Sequence, residues 1–177
     1  SEVTYYTRDY VGVAGSPLVR CYDAAYSAER QRYHLLLEDL TPTHVVASSR
    51  PPTLAHGLAL AEGLAALHAH WWGAARLAEA GAPIHDADFI RRFAAIAEPG
   101  AGHILAEFGD ELGRRWAGLI RELYAKHPAA LIARAADANG FTLIHGDAGA
   151  YNVLIPREGE RPLYVIDRQP FDWSLTT

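Results

Sequence analysis

The stretch FTLIHGDAGAYNVLIP, residues 141–156, sets a polar segment between two apolar runs. The runs are rich in the aromatic and branched residues that favour strands. The polar segment carries His145, Asp147 and Asn152, and a third run, LYVIDRQ, ends on Asp167. Oxygen-bearing side chains that end neighbouring strands indicate a chemical site on a short β hairpin.

The chain before this stretch predicts a small β part and then a helical body. Two strands with a polar turn between them are predicted at 18–24 and 32–38, and a loop follows at TPTHVVASSRPP. Thr53 is the predicted N-cap of a long helix that runs to about Ala80. One face of that helix is predicted to enter the core through Leu60, Leu64, Leu67 and Trp71.

Further helices are predicted between this helix and the hairpin. One covers about 86–97 and ends at EPGAG, and the next ends before Pro128, which begins another short helix. The predicted buried stripe of the middle helix consists of Ile104, Phe108, Leu112, Trp116, Leu119 and Leu123. Core packing is also the expectation for Trp71, Trp72 and Trp116. Strands follow at 141–145, 153–156 and 163–167.

Composition narrows the class of protein. A chain of 177 residues, half of them hydrophobic, is long enough to bury a core. The net charge of −5 argues against a general nucleic-acid or anionic-membrane binder. The single cysteine, Cys21, excludes an intramolecular disulfide, and a cytoplasmic protein is predicted. No signal peptide or membrane span is expected, and the absence of Met predicts a piece of a longer chain.

The polar residues of the hairpin suit phosphoryl transfer. That reaction needs a carboxylate to orient or deprotonate the acceptor hydroxyl, and oxygen ligands for the Mg²⁺ that neutralises the phosphates. In H-G-D-x4-N, Asp147 and Asn152 stand at the two ends of one loop. Asp167 ends the second strand of the next hairpin and is expected to converge on them.

HGDAGAYNVL followed by VIDRQ resembles the catalytic and metal-binding segments of the aminoglycoside phosphotransferase and choline kinase group. LLLEDL resembles the strand and hinge between the lobes of such kinases, and LAALHAHWW resembles the helix that supports the catalytic loop. SEVTYY resembles their C helix. The resemblance implies an α+β, protein-kinase-like fold of two lobes, with a partial N-terminal lobe at 1–40 and a mainly helical C-terminal lobe at 41–177.

The same resemblance implies residue roles and cofactors. Asp147 would be the catalytic base, and His145 would hold the loop. Asn152 and Asp167 would bind Mg²⁺. The adenine of ATP would bind to the backbone of Glu38, Asp39 and Leu40. Glu2 would correspond to the glutamate that pairs with the ATP-binding lysine in these kinases.

These roles imply a kinase that transfers the γ-phosphate of ATP to a hydroxyl of a small molecule. No nucleic-acid partner, no membrane and no particular oligomeric state are predicted. The glycine-rich flap and the strand lysine of the group are missing from this sequence, and it ends before the helices that would close the substrate cleft. A truncated and inactive chain is therefore compatible with the resemblance.

Two other interpretations stay open. The chain could be a catalytically incomplete kinase-like scaffold or binding module, which consumption of ATP would exclude. It could also be a metal-dependent hydrolase that uses His145, Asp147 and Asp167, which binding of a transition metal without nucleotide preference would favour. The hydrolase leaves Asn152 and the hinge-like LLLEDL without a role.

Overall fold

The computed structural model describes residues 2–80, 86–168 and 174–176, a mixed α and β protein with small sheets. The helices are α1 (Glu2–Thr4), which continues as a π-helical turn at Tyr5–Asp9, α2 (Leu54–His70), α3 (Ala74–Ala80) and α4 (Ala87–Ala135). The strands are β1 (Cys21–Ser27), β2 (Arg32–Leu37), β3 (His44–Val46), β4 (Phe141–Leu143), β5 (Val153–Pro156), β6 (Tyr164–Val165) and β7 (Ser174–Thr176). None of the described helices has the length and apolar character needed to cross a membrane.

The predicted N-terminal hairpin is confirmed, with its first strand displaced along the chain. β1 pairs with β2 in antiparallel fashion, with an irregularity between Cys21 and Asp23. Leu18, predicted to begin this strand, instead forms a parallel bridge to Val165 of β6. The segment before β1 is thereby joined to the hairpin that ends near Asp167.

The predicted hairpin of β5 and β6 is also confirmed, although β6 ends at Val165, two residues before Asp167, and the hairpin gains a third strand. The sheet has the order β3-β5-β6, with both pairs antiparallel. β3 lies in the segment predicted to be a loop. Its three residues, His44 and the two valines after it, pair with β5. A run of three residues between turn formers is too short for its hydrophobic pattern to distinguish a strand from a loop.

The long helix predicted at 53–80 is two helices. The Thr53 side chain accepts a hydrogen bond from the His56 N–H, so the predicted N-cap is confirmed. The helix then breaks at Gly73, whose φ of 94° lies outside the range of a right-handed helix. The Gly73 N–H bonds to the carbonyl of Phe141 at 2.8 Å, which ties the break to β4.

The helices predicted between 86 and the hairpin form two helical arms, residues 87–112 and 114–135, which meet at Gly113 and are together called α4. Asp86 caps α4 by accepting a hydrogen bond from the Phe89 N–H. α4 continues through Pro99 and Pro128, where separate helices were predicted, and changes direction at Gly113, with φ 71° and ψ 164°. Proline costs a helix one hydrogen bond but keeps a helical φ, whereas the Gly113 conformation cannot belong to a helix.

The predicted buried stripe of α4 is wrong. Five of its side chains are exposed, from Leu119 at 44% to Trp116 at 57%, and Leu112 is half-buried. α4 bends at Gly113, and residues from both of its arms line one apolar cavity. Of the three tryptophans expected in the core, Trp71 is buried, whereas Trp72 and Trp116 are exposed.

One hydrophobic core joins the N-terminal segment to α2, α3 and the small sheets. Leu67 and Trp71 are buried in it, and Leu60 and Leu64 pack against it, as the spacing of α2 predicts. The other buried members are Tyr5, Tyr6, Tyr10, Leu77, Phe141, Leu143, Val153, Ile155, Leu163 and Val165. This core fixes the positions of β4, β5 and β6, and so of the loop between β4 and β5.

Candidate functional site

The loop between β4 and β5 is organised around the side chain of Asp147. The Asn152 Nδ2 donates hydrogen bonds to the carbonyl oxygen of Asp147 at 2.9 Å and to its Oδ2 at 3.2 Å. The Tyr151 hydroxyl donates to Oδ1 of the same carboxylate at 2.7 Å. These bonds bring together the predicted base and one predicted metal ligand, and they add Tyr151, which the sequence did not indicate.

His145 holds the start of this loop, as expected. Its ring is buried, and its Nδ1 accepts a hydrogen bond from the Asp147 N–H at 3.3 Å. Burial lowers the pKa of His145 below its ordinary value. A neutral ring is the form whose Nδ1 can accept this bond, so burial and hydrogen bonding favour the same state.

Asp167 lies beside the loop because β6 pairs with β5. The Ile166 N–H bonds to the carbonyl of Asn152 at 3.0 Å, one residue before Asp167. Asp167 itself has a φ of 59°, a left-handed conformation that is uncommon outside glycine and that Asp and Asn tolerate best. Gln169, the last residue of the VIDRQ motif, lies outside the described residues.

The Glu2 carboxyl is influenced by the charge of Asp167 in this cluster. Burial raises the pKa of the Glu2 carboxyl above its ordinary value, and the negative charge of Asp167 raises it further. Glu2 forms no ion pair within the part of the chain that the structure describes. The charge of the second predicted metal ligand therefore acts on the predicted C-helix glutamate.

Arg168, the residue after Asp167, forms a buried ion pair with Asp9. The side chains of Arg168 and Asp9 are almost fully buried, with Nη1 4.0 Å from Oδ2. The Arg168 guanidinium also lies over the Tyr5 ring, 5.3 Å from its centroid, and its Nε contacts the carbonyl of Ile144 at 3.5 Å. Arg168 therefore joins the segment after α1, the start of the loop and the residue next to Asp167.

The predicted hinge residues border a cavity of about 530 Å³. Glu38, Asp39 and Leu40 line one part of it, and Leu154 and Ile166 line another. The remaining lining residues are Val19, Leu37, Thr41, His44, Val45, Val46, Ser49 and Arg157. A largely apolar cleft of this size is typical of sites for small molecules. Because Ile166 precedes Asp167 and Leu154 follows Asn152 by two residues, the cavity adjoins the polar cluster.

The backbone of the hinge has one donor and one acceptor that other backbone groups of the described residues leave unpaired. The Glu38 N–H bonds to the Arg20 carbonyl, and the Leu40 carbonyl accepts from Thr43 and His44. Within the described part of the chain, the Glu38 carbonyl and the Leu40 N–H have no backbone partner. The Asp39 carboxylate accepts hydrogen bonds from the N–H and the hydroxyl of Thr41. These bonds close the turn and lower the pKa of Asp39.

The donor set suits a hard cation such as Mg²⁺. Because the Nδ2 of Asn152 points to Asp147, its amide oxygen points away from that carboxylate, and Asp167 supplies two further oxygens. Carboxylate and amide oxygens are the ligands that Mg²⁺ and Ca²⁺ prefer. Across residues 2–80, 86–168 and 174–176, no three His, Cys, Asp or Glu side chains group as a metal site, and this includes His145, Asp147 and Asp167.

Sequence reasoning missed Tyr151, Arg168 and Asp9. Tyr151 lies among small loop residues, and its direction depends on a backbone path that no periodicity reports. Arg168 and Asp9 are far apart in sequence, and only the folded core brings them together.

Comparison of the chain with protein-family models, with curated proteins and with solved structures found no match. The description of this site therefore depends on the residues of the chain itself.

Proposed function

We propose that this chain is the phosphotransferase part of a kinase-like protein, which transfers the γ-phosphate of ATP to a hydroxyl group of a small molecule. The observation that carries the proposal is the apolar cavity at Glu38–Leu40 adjoining the cluster of Asp147, Asn152 and Asp167. An apolar cleft beside a carboxylate and amide cluster suits a ligand with a flat base at one end and phosphates at the other.

The adenine of ATP matches the hinge backbone. Adenine presents an amino donor beside a ring-nitrogen acceptor. The Glu38 carbonyl and the Leu40 N–H supply the complementary acceptor and donor, and Leu154 and Ile166 supply apolar surface for the faces of the base. A nucleotide bound in this way would direct its phosphates toward Asn152 and Asp167, the residues adjoining the apolar wall.

Asp147 is the residue proposed to act on the acceptor. Its carboxylate would accept a hydrogen bond from the acceptor hydroxyl, orient that oxygen, and take its proton as the bond to phosphorus forms. Asn152 holds the carboxylate in place. Asn152 and Asp167 would hold Mg²⁺, which supplies positive charge against the phosphate oxygens when bound. Glu2 would be the partner of the ATP-binding lysine of such kinases. The described N-terminal segment contains no lysine.

The activity test is transfer of labelled phosphate from Mg·ATP to a panel of polyol, aminoalcohol and aminoglycoside acceptors. Asp147→Asn keeps the shape of the side chain but removes the base, and should lower transfer by about 100-fold or more. Its affinity for Mg·ATP should stay within about threefold, since the base contacts the acceptor and not the nucleotide.

The matched control is Asp88→Asn, because Asp88 is exposed on α4 and pairs only with Arg91 among the described residues. This variant should transfer phosphate at the original rate. Loss of nucleotide binding in Asp147→Asn, with the fold intact, would contradict the assignment of Asp147 as the base. Binding of a transition metal without any nucleotide preference would favour the hydrolase interpretation instead.

A further inference from the structure

The hydroxyl of Tyr151 occupies a place at Asp147 that the proposed reaction assigns to the acceptor. Its oxygen lies 2.7 Å from Oδ1 of Asp147, the distance expected for a strong O–H···O⁻ hydrogen bond. A general base must approach the hydroxyl it deprotonates to this distance. The carboxylate is therefore engaged by an alcohol that belongs to the chain itself.

The loop backbone leaves room for the Tyr151 ring at this place. A Cβ at Gly149 would lie 2.8 Å from Cε1 and Cζ of Tyr151 and 3.0 Å from its hydroxyl oxygen. Real Cβ atoms do not come so close, so only glycine at this position leaves room for the ring. The Asn152 N–H bonds to the Gly149 carbonyl at 2.8 Å and closes the turn under the ring.

Both carboxylates of the cluster act on the phenol electrostatically. The hydrogen bond to Asp147 raises the pKa of Tyr151 above its ordinary value, and the charge of Asp167 contributes to the rise. Tyr151 is 58% exposed, so much of the residue faces solvent. Tyr151 is thus hydrogen-bonded to the proposed base, and the charge of the carboxylate expected to hold Mg²⁺ acts on it.

We infer that Tyr151 is a phosphorylation site which this chain modifies in cis when no external hydroxyl is bound at Asp147. The inference rests on the proposed function. In the step, the Tyr151 oxygen bonds to the γ-phosphorus of ATP as the bond from that phosphorus to the β–γ bridging oxygen breaks. ADP leaves, and the phenolic proton passes to Oδ1 of Asp147. The products are ADP and phosphotyrosine at 151.

The modified residue would affect the site that made it. A phosphate carries a charge of about −1.5 to −2 at neutral pH, and here it would lie beside Asp147 and Asp167. Repulsion between these groups and the phosphates of ATP should weaken nucleotide binding. The phosphorylated chain should therefore show a smaller thermal stabilisation by Mg·ATP than the same chain after phosphatase treatment.

The experiment incubates the chain with Mg·ATP at two protein concentrations. Intact mass measures the phosphate gained, peptide mass spectrometry locates it, and the shift of the melting temperature with Mg·ATP reports binding separately. We expect a single phosphate on Tyr151, acquired at a rate that does not depend on protein concentration. Tyr151→Phe and Asp147→Asn should remain unmodified and still be stabilised by Mg·ATP.

Gly149→Ala is the geometric control, because it keeps the phenol and pushes the ring away from Asp147. It should slow the modification by about tenfold or more, since a displaced nucleophile loses its alignment. Stabilisation by Mg·ATP without phosphate on Tyr151 would overturn this inference and leave the proposed function standing. So would a rate proportional to protein concentration. No stabilisation by Mg·ATP would overturn both.

Discussion

At the scale of single residues, Arg168 shows how a buried charge supports the candidate site. Its guanidinium is enclosed with the Asp9 carboxylate, lies over Tyr5 and follows directly after Asp167. Asp167 adopts a left-handed backbone conformation that costs free energy unless its surroundings hold it. Anchoring of the next side chain in the core supplies such a hold, so Arg168 is a positioning residue for Asp167.

Loss of one partner of this pair should be strongly destabilising. Asp9→Leu leaves the buried Arg168 guanidinium without the Asp9 carboxylate and should lower the free energy of unfolding by about 3–5 kcal/mol. Urea unfolding monitored by tryptophan fluorescence measures the change. The double variant Asp9→Leu with Arg168→Met removes both charges and should recover a large part of that loss. Equal destabilisation in the single and double variants would contradict the charge-pair account.

His145 should make the stability of the fold depend on pH. Burial holds its folded-state pKa below 6.5, so the unfolded chain takes up a proton first as the pH falls. The stabilisation is complete above pH 6.5 and is lost progressively as the pH falls from there toward the lower folded-state pKa. The free energy of unfolding, measured by urea titration from about pH 7 to about pH 5, should therefore decrease.

Two variants test the contribution of His145 to this slope. His145→Gln should give a shallower dependence over the same range, with the remainder owing partly to His68, whose pKa burial also lowers. His103→Gln, at an exposed position of α4, should leave the slope unchanged. An identical slope in His145→Gln and in the unaltered chain would remove His145 from the account.

At the scale of elements, Gly113 decides the shape of α4. The φ of 71° and ψ of 164° at this residue belong to a region that glycine occupies almost alone. No atom lies within 4 Å of the place a Cβ would take, so the requirement for glycine comes from the backbone and not from crowding. Residues from both arms line one apolar cavity, and most of the apolar stripe from Ile104 to Leu123 is exposed.

Alanine substitutions separate this conformational requirement from helix propensity. Gly113→Ala should lower the free energy of unfolding by about 1–3 kcal/mol, since alanine resists that φ and ψ. Gly109→Ala, in the same helix with open space at its Cβ position, should raise it by up to about 1 kcal/mol. Thermal unfolding followed by circular dichroism measures both, and a stabilising Gly113→Ala would contradict the bend.

The elements that could be predicted from sequence are those whose signals are local. The caps at Thr53 and Asp86 depend on side chains that bond to a backbone N–H three residues away. The pairing of β5 with β6 follows from two apolar runs and a short loop. β3 and the bend at Gly113 depend on tertiary pairing and on one backbone angle, and hydrophobic pattern carries neither.

The same distinction holds for the candidate site. Asp147 and Asn152 could be recognised together because five residues of one loop separate them, and the structure joins them by hydrogen bonds. The charge of Asp167 influences the Glu2 carboxyl, and only the resemblance had assigned both residues to one site. Tyr151 gave no signal, because the direction of a loop side chain depends on the path of the backbone around it.

At the scale of the whole molecule, the core connects the N-terminal segment to the β5–β6 hairpin. Tyr5, Tyr6 and Tyr10 pack in the same cluster as Val153 and Val165, so the N-terminal segment and the β5–β6 hairpin are held together. This packing brings the cavity at Glu38–Leu40 beside Asp147, Asn152 and Asp167. The proposed function follows from that juxtaposition more than from any single residue.

The most direct test of this account is the melting temperature of the chain with ATP, with and without Mg²⁺. With ATP at about 100 times its dissociation constant, binding should raise the melting temperature by roughly 5–10 °C when Mg²⁺ is present. Asp167→Asn keeps the shape and tolerates the positive φ but lacks the charge that Mg²⁺ needs, so it should lose most of the shift. No shift in the unaltered chain, or the same shift in Asp167→Asn, would contradict the proposed nucleotide site.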